Sequence, residues 1–128
     1  MADAREGNAE RGRRGLVLVV EDEFLIAMEL ESVLKKGGVD VLGPAATVAA
    51  ALALLASGTP DAAVLDVNLE GQRVTPVAAA LSAKSIPYLI ASAYSSTDLA
   101  NEPLLARAVN VGKPTPSSVL LNEIARLL

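Results

Sequence analysis

The sequence has no cysteine, no histidine and no tryptophan, and its only aromatic residues are Phe24, Tyr88 and Tyr94. Without cysteine there is no disulfide framework, no thiol nucleophile and no thiolate metal site. Without histidine there is no Ser–His or Cys–His catalytic pair and no imidazole ligand for zinc. Any metal must therefore be held by oxygen, which favours Mg²⁺, Mn²⁺ or Ca²⁺. A basic excess is missing too: 11 Lys and Arg stand against 15 Asp and Glu, a formal charge of −4. That balance speaks against nucleic-acid binding, which needs a basic face to neutralise phosphates. No apolar run approaches the roughly 18–20 residues of a membrane helix, and the charged N-terminus lacks the apolar stretch of a secretory signal. The expectation is a cytoplasmic domain with no membrane partner.

What is present is a chain of 128 residues that is 52% apolar, a length typical of one domain with a core of Ala, Leu and Val. Residues 1–15 (MADAREGNAERGRRG) set Arg5, Arg11, Arg13 and Arg14 against Asp3, Glu6 and Glu10 with almost no apolar content. They read as a disordered N-terminal tail, which leaves 16–128 as the folded domain.

From Leu16 the apolar period changes repeatedly. The run Leu16–Val20 (LVLVV) predicts a strand buried on both faces. Over Phe24–Lys36, Leu25, Met28 and similarly spaced apolar residues alternate with charged ones, which predicts an amphipathic helix stopped at Gly37-Gly38. Val39–Leu42 predicts a second strand, and Thr47 caps a helix running to Ser57. A strand over Ala62–Asp66 and a helix over Val74–Lys84 follow, then a strand over Tyr88–Ala91 and a weaker fifth strand over Ala108–Val111. Thr115-Pro116 opens a last helix that reaches Leu127. Between them, Ser95–Arg107 carries Pro103 in its middle, so the fourth helix is expected to be short or irregular. Alternating strands and helices imply a parallel sheet covered on both faces. Five such units suit a flavodoxin-like, doubly wound α/β fold with strand order 2-1-3-4-5, whose ligands bind beyond the carboxyl ends of the strands.

Those strand ends hold the chemistry. Strand one runs into Glu21-Asp22-Glu23 and strand three ends at Asp66. Carboxylates gathered in one small pocket repel each other unless a cation intervenes, and Mg²⁺ is commonly held by one or two carboxylates plus water and phosphate oxygens. Strand four ends at Ser92, and strand five leads to Lys113-Pro114. A carboxylate nucleophile, a metal to bridge oxygens, a hydroxyl and an ammonium are the parts a phosphoryl-transfer site needs.

The motifs LVLVVEDEFLIA, AVLDVNLEG, IPYLIASA and VGKP, in this order and spacing, make Leu16–Leu128 similar to the receiver domain of two-component response regulators. The resemblance implies that Asp66 accepts a phosphoryl group from a phosphohistidine on a sensor histidine kinase or a histidine phosphotransfer protein. It implies Mg²⁺ or Mn²⁺ held by Asp22, Asp66 and the Asn68 backbone carbonyl, with Glu21 acting through water. Ser92 and Lys113 would bind the phosphoryl oxygens and report them. The chain would be a phosphoacceptor that slowly loses its own phosphoryl group and not an enzyme acting on other substrates; its downstream protein partner is unspecified and a homodimer stays open.

Two departures stand out. The switch aromatic of the family, three residues before the lysine, is Asn110 here, and Pro103 interrupts the fourth helix. Both features resemble a subgroup of mainly alphaproteobacterial single-domain receivers with a modified strand-four segment, in which Tyr94 is either the candidate substitute for the switch or a cover over the pocket rim. An alternative is a receiver-fold adaptor that binds proteins without phosphorylation. A small-molecule aspartyl-phosphate hydrolase is disfavoured, because such enzymes place a D-x-D pair on the first strand, whereas Asp66-Val67-Asn68 is on the third.

Overall fold

A computed structural model describes residues 15–95 and 97–128. The elements follow as β1 Leu16–Val20, α1 Phe24–Lys36, β2 Asp40–Ala45, α2 Val48–Ser57, β3 Ala62–Leu65, β4 Asn68–Leu69, β5 Gln72–Arg73, α3 Thr75–Ala83, β6 Tyr88–Ile90, α4 Pro103–Ala106 and α5 Ser117–Leu127. The expected tail lies outside the described residues except for Gly15. That residue belongs to the fold, since its carbonyl accepts from the Asp40 N–H at 3.1 Å.

The main sheet is parallel, in the order β2-β1-β3-β6. Side chains alternate across it with period two. Leu18, Val20, Ala63, Leu65 and Ile90 face one core, shared with Val48, Ala51 and Leu55 of α2 and Val77, Ala78 and Leu81 of α3. Val17, Val19, Ala62, Val64 and Leu89 face the other, with Leu30 and Leu34 of α1 and Leu120 and Ile124 of α5. A strand apolar at every position is thus explained by helices on both faces. The register sets Val20 beside Leu65 and Leu65 beside Ile90, so the residues just beyond these strands emerge at one level.

Several expectations are corrected. The predicted fifth strand shrinks to one bridge between Asn110 and Ile90, closed by Ile90 N–H to Val109 carbonyl (2.8 Å) and Val111 N–H to Ile90 carbonyl (2.9 Å). The ladder stops there because the next donor, the Ser92 N–H, bonds the Asn110 side chain at 3.1 Å; such side-chain acceptors compete with the sheet. The stretch after Asp66 contains a two-residue hairpin, β4–β5, with Glu70 (φ 52°) and Gly71 (φ 87°) at its tip. Two positive φ values make it the primed turn that matches strand twist. Pro103 opens the short α4 rather than sitting within it, as proline at a first helical position can. Thr115 does not cap α5; its hydroxyl donates to the Gly112 carbonyl instead. On α1 the buried stripe is Ala27, Leu30 and Leu34, whereas Phe24, Leu25 and Met28 are exposed by 73%, 79% and 50%. Thr47 caps α2 as expected, accepting from the Ala50 N–H at 3.0 Å.

Gly43 in β2 adopts φ +96°, and a Cβ there would lie 2.8 Å from the Ala45 backbone nitrogen. Gly43→Ala should therefore cost roughly 2–3 kcal/mol, whereas Gly71→Ala, at φ +87° but with nothing within 4 Å, should cost about 1 kcal/mol. Urea midpoints of the two variants check this, and equal midpoints would contradict it.

Candidate functional site

Hydrogen bonds between strand ends assemble the site. The Glu21 N–H donates to the Ala45 carbonyl (2.9 Å), the Asp66 N–H to Val20 (2.8 Å) and the Ala91 N–H to Leu65 (2.9 Å). These bonds carry the register one residue past each strand and bring Glu21, Asp66 and Ser92 to a common edge. All three are nearly buried, exposed by 2%, 8% and 3%. Asp22, Asp66, Asn68, Ser92, Tyr94 and Lys113 line a cavity of about 260 Å³ at that edge. The structure therefore brings the sequence-predicted residues together: the cavity gathers all but Glu21, which joins through Lys113.

Lys113 closes the site from the far side. Its Nζ lies 3.1 Å from Glu21 Oε1, 3.3 Å from Glu21 Oε2 and 3.2 Å from Asp66 Oδ2. Glu21 Oε2 also accepts from the Glu23 N–H at 3.1 Å. Asp22 Oδ2 accepts from the Glu70 N–H at 3.0 Å, tying the pocket to the β4–β5 turn. One ligand oxygen from each of Glu21, Asp22 and Asp66 falls within 4.8 Å of the others. Three carboxylates facing one ammonium leave a net negative pocket in a low-dielectric setting, and Glu21 and Asp66 respond. Glu21 is pushed up to about 7, chiefly by burial and also by the neighbouring Asp66 charge. Asp66 is raised as well, again by burial, against the pull of Lys113. Burial opposes the charge on Lys113, but both carboxylates outweigh it and raise its pKa.

The donor set fits a hard divalent cation. It is all oxygen, and buried Glu21 Oε1 has no hydrogen-bond partner among the described residues, although the Lys113 ammonium lies 3.1 Å away. An extra positive charge here would satisfy that atom and relieve the repulsion.

Sequence reasoning missed what holds the rim. Tyr94 is exposed and lies under the Arg73 guanidinium, 4.9 Å from its ring centroid. Arg73 Nε pairs with Glu102 at 3.3 Å, and Glu102 accepts from the Thr75 hydroxyl at 3.1 Å. No periodicity links positions 73, 94 and 102; only the fold brings them together.

Comparison with known proteins agrees with this geometry. The family model described as "Response regulator receiver domain" matches residues 17–125. Transcriptional regulatory protein PdtaR of Mycobacterium tuberculosis is 32% identical over 84 residues, which cover 65% of this chain and 41% of that protein. Among solved structures, the BeF3-activated conformation of SdrG from Pseudomonas melonis Fr1 is 39% identical with a TM-score of 0.74, covering 88% of this chain and 95% of that one. The PhyR response regulator receiver domain of Erythrobacter litoralis is 27% identical with a TM-score of 0.79, covering 88% of each chain. No helix among the described residues is long and apolar enough to cross a membrane.

The raised carboxyls fix a pH dependence. Between 4.5 and about 7 the folded chain holds a proton on Glu21 that the unfolded chain has released. Stability in metal-free buffer should therefore fall as pH rises through that window, by on the order of 1–3 kcal/mol. Denaturation midpoints in chelator from pH 4.5 to 8 read this directly. Glu21→Gln should flatten the curve, and an unchanged slope in that variant would contradict the assignment.

Proposed function

The chain belongs to the response regulator receiver domain family, and from that premise we propose that it is a phosphoacceptor whose Asp66 takes a phosphoryl group from a phosphohistidine on a partner protein. The observation that carries this reading is Asp66 itself. It is a nearly buried carboxylate, paired with Lys113 at 3.2 Å, grouped with Glu21 and Asp22, and open to a cavity that Ser92 also lines. In the step, an Asp66 oxygen attacks phosphorus as the P–N bond to the partner's imidazole breaks, and the imidazole leaves with a proton from solvent. Lys113 and the Ser92 hydroxyl are placed to donate to phosphoryl oxygens. Ser92 Oγ spends a lone pair on the Tyr94 N–H at 2.9 Å, which leaves its proton to point elsewhere. Asp22, Asp66, Glu21 and the Asn68 carbonyl are the groups that would hold Mg²⁺ or Mn²⁺, with Glu21 acting through water. When bound, the ion offsets charge on the transferring oxygens. The chain turns over only its own aspartyl phosphate in this reading. A BeF3-activated form is known for the related SdrG, which supports using that phosphoryl mimic here.

The phosphohistidine must lie outside these 128 residues, which contain no histidine. Phe24, Leu25 and Met28 project from the first turns of α1. Phe24 and Met28 line a groove of about 340 Å³ that Glu21 and Asp22 also border. An exposed apolar surface continuous with the acidic pocket suits the helices that would present a phosphohistidine. In this reading the partner is a sensor histidine kinase or a histidine phosphotransfer protein, and the domain works on the cytoplasmic side.

Incubation with acetyl phosphate and Mg²⁺ should add one phosphoryl mass, labile to base and to hydroxylamine, to the wild type and none to Asp66→Asn. Absence of that gain in the wild type would leave the phosphorylation-independent adaptor as the better reading. Leu25→Asp should slow uptake from a phosphorylated histidine kinase by about tenfold, the loss of one well-buried contact, while uptake from acetyl phosphate stays unchanged. Equal slowing from both donors would argue against α1 as the docking surface.

A further inference from the structure

Position 110 is where the sequence shows a loss, asparagine in place of the family's switch aromatic. The structure gives that side chain three hydrogen bonds. Asn110 Oδ1 accepts from the Ser92 N–H at 3.1 Å and from the Gly112 N–H at 2.9 Å, while Nδ2 donates to the Tyr94 carbonyl at 2.8 Å. One amide group therefore joins the end of β6, the cavity rim and the turn that leads into Lys113. Gly112 adopts φ +86°, a conformation suited to glycine, so the approach to Lys113 is set by a backbone turn whose N–H is bound by Asn110. The Tyr94 backbone is gripped at both ends, its N–H by Ser92 Oγ at 2.9 Å and its carbonyl by Asn110. Its ring lies under Arg73, which Glu102 anchors at the start of α4.

We infer that Asn110 is a positioning residue that sets Ser92 and Lys113 relative to each other and links them to the Tyr94 rim through fixed backbone hydrogen bonds. The inference deepens the phosphoacceptor reading and rests on it. An aromatic switch works by moving between an inward and an outward rotamer. An amide with both polar atoms occupied has no such second position without breaking bonds. A displacement of Ser92 toward a phosphoryl oxygen would instead be passed through the Asn110 amide to the Tyr94 carbonyl, and from the Tyr94 ring to Arg73, Glu102 and α4. The acceptor and donor halves of the amide divide the work: Oδ1 holds the pocket, and Nδ2 holds the rim.

The test uses the full chain with Mg²⁺ and beryllofluoride, followed by amide NMR, in the wild type, Asn110→Ala and Asn110→Asp. Asn110→Ala removes all three bonds and should weaken beryllofluoride binding by about tenfold. It should also reduce the beryllofluoride-induced shifts at residues 97–100 to under about a third of the wild-type change. Asn110→Asp keeps both acceptor bonds but sets a carboxylate against the Tyr94 carbonyl. It should still show the shift at the Asp66 amide while the response at residues 97–100 stays small. Wild-type responses at residues 97–100 in either variant would overturn the inference. If Asn110→Ala does not fold, Asn110→Asp alone decides. Hydrogen exchange without ligand gives an independent reading: the Ser92 and Gly112 amides should be protected in the wild type and in Asn110→Asp. Unprotected amides in the wild type would overturn the clamp itself, whereas protected amides in a wild type that takes no beryllofluoride would overturn only the phosphoacceptor reading.

Discussion

The Lys113 ammonium lies 3.1 Å from Glu21 and 3.2 Å from Asp66, joining three chain segments that enter the same edge from different strands. Burial makes each of these charges costly alone. Two carboxylates exposed by 2% and 8% would repel each other with little water to screen them, and removing the lysine would leave both uncompensated. Lys113 offsets only part of that charge. Glu21 is driven up toward neutrality, and one of its oxygens has no hydrogen-bond partner among the described residues. In the proposed function, that remaining imbalance is what a divalent cation, and a phosphoryl group brought in with it, would offset.

This charge cluster can form only because the sheet beneath it is in register and closed on both faces. The strands present small and branched apolar side chains, Ala62 and Val64 to one side and Ala63 and Leu65 to the other. Helices covering both faces exclude water from the strand backbones. The hydrogen bonds that run past the strand ends then place Glu21 and Asp66 side by side. The exposed Phe24, Leu25 and Met28 show a different use of α1: its inner stripe serves the core, while its first turns leave apolar surface beside the pocket.

The rim is arranged on another principle. The fifth strand is reduced to a bridge, and the bond that would continue the ladder is taken by the Asn110 side chain. What the pocket loses in regular sheet it regains as side-chain bonds from Asn110 to three backbone groups. Beyond it, the Arg73 guanidinium over Tyr94 and its pairing with Glu102 fix a segment whose one short helix begins at Pro103 and ends at Ala106. The result is a rim tied by polar contacts and stacking at the pocket, while Leu99 and Leu105 anchor the segment behind it in the core.

The α/β alternation, the strand and helix starts at Leu16, Phe24 and Val48 and the identity of the acidic, hydroxyl and lysine residues at the strand ends were legible in the sequence. Hydrophobic period and caps are local properties, and doubly wound sheets put their ligands at one edge. Only the tertiary structure decided which apolar residues of α1 face inward, since Leu25 and Ala27 both fit a helical period and packing against β1 and α5 chooses between them. It also decided the fate of the fifth strand and the bonds of Asn110. Those depend on which backbone donors stand opposite a side-chain amide eighteen residues away from Ser92, and a distance of that kind is set by the assembled sheet and is absent from any local window of sequence.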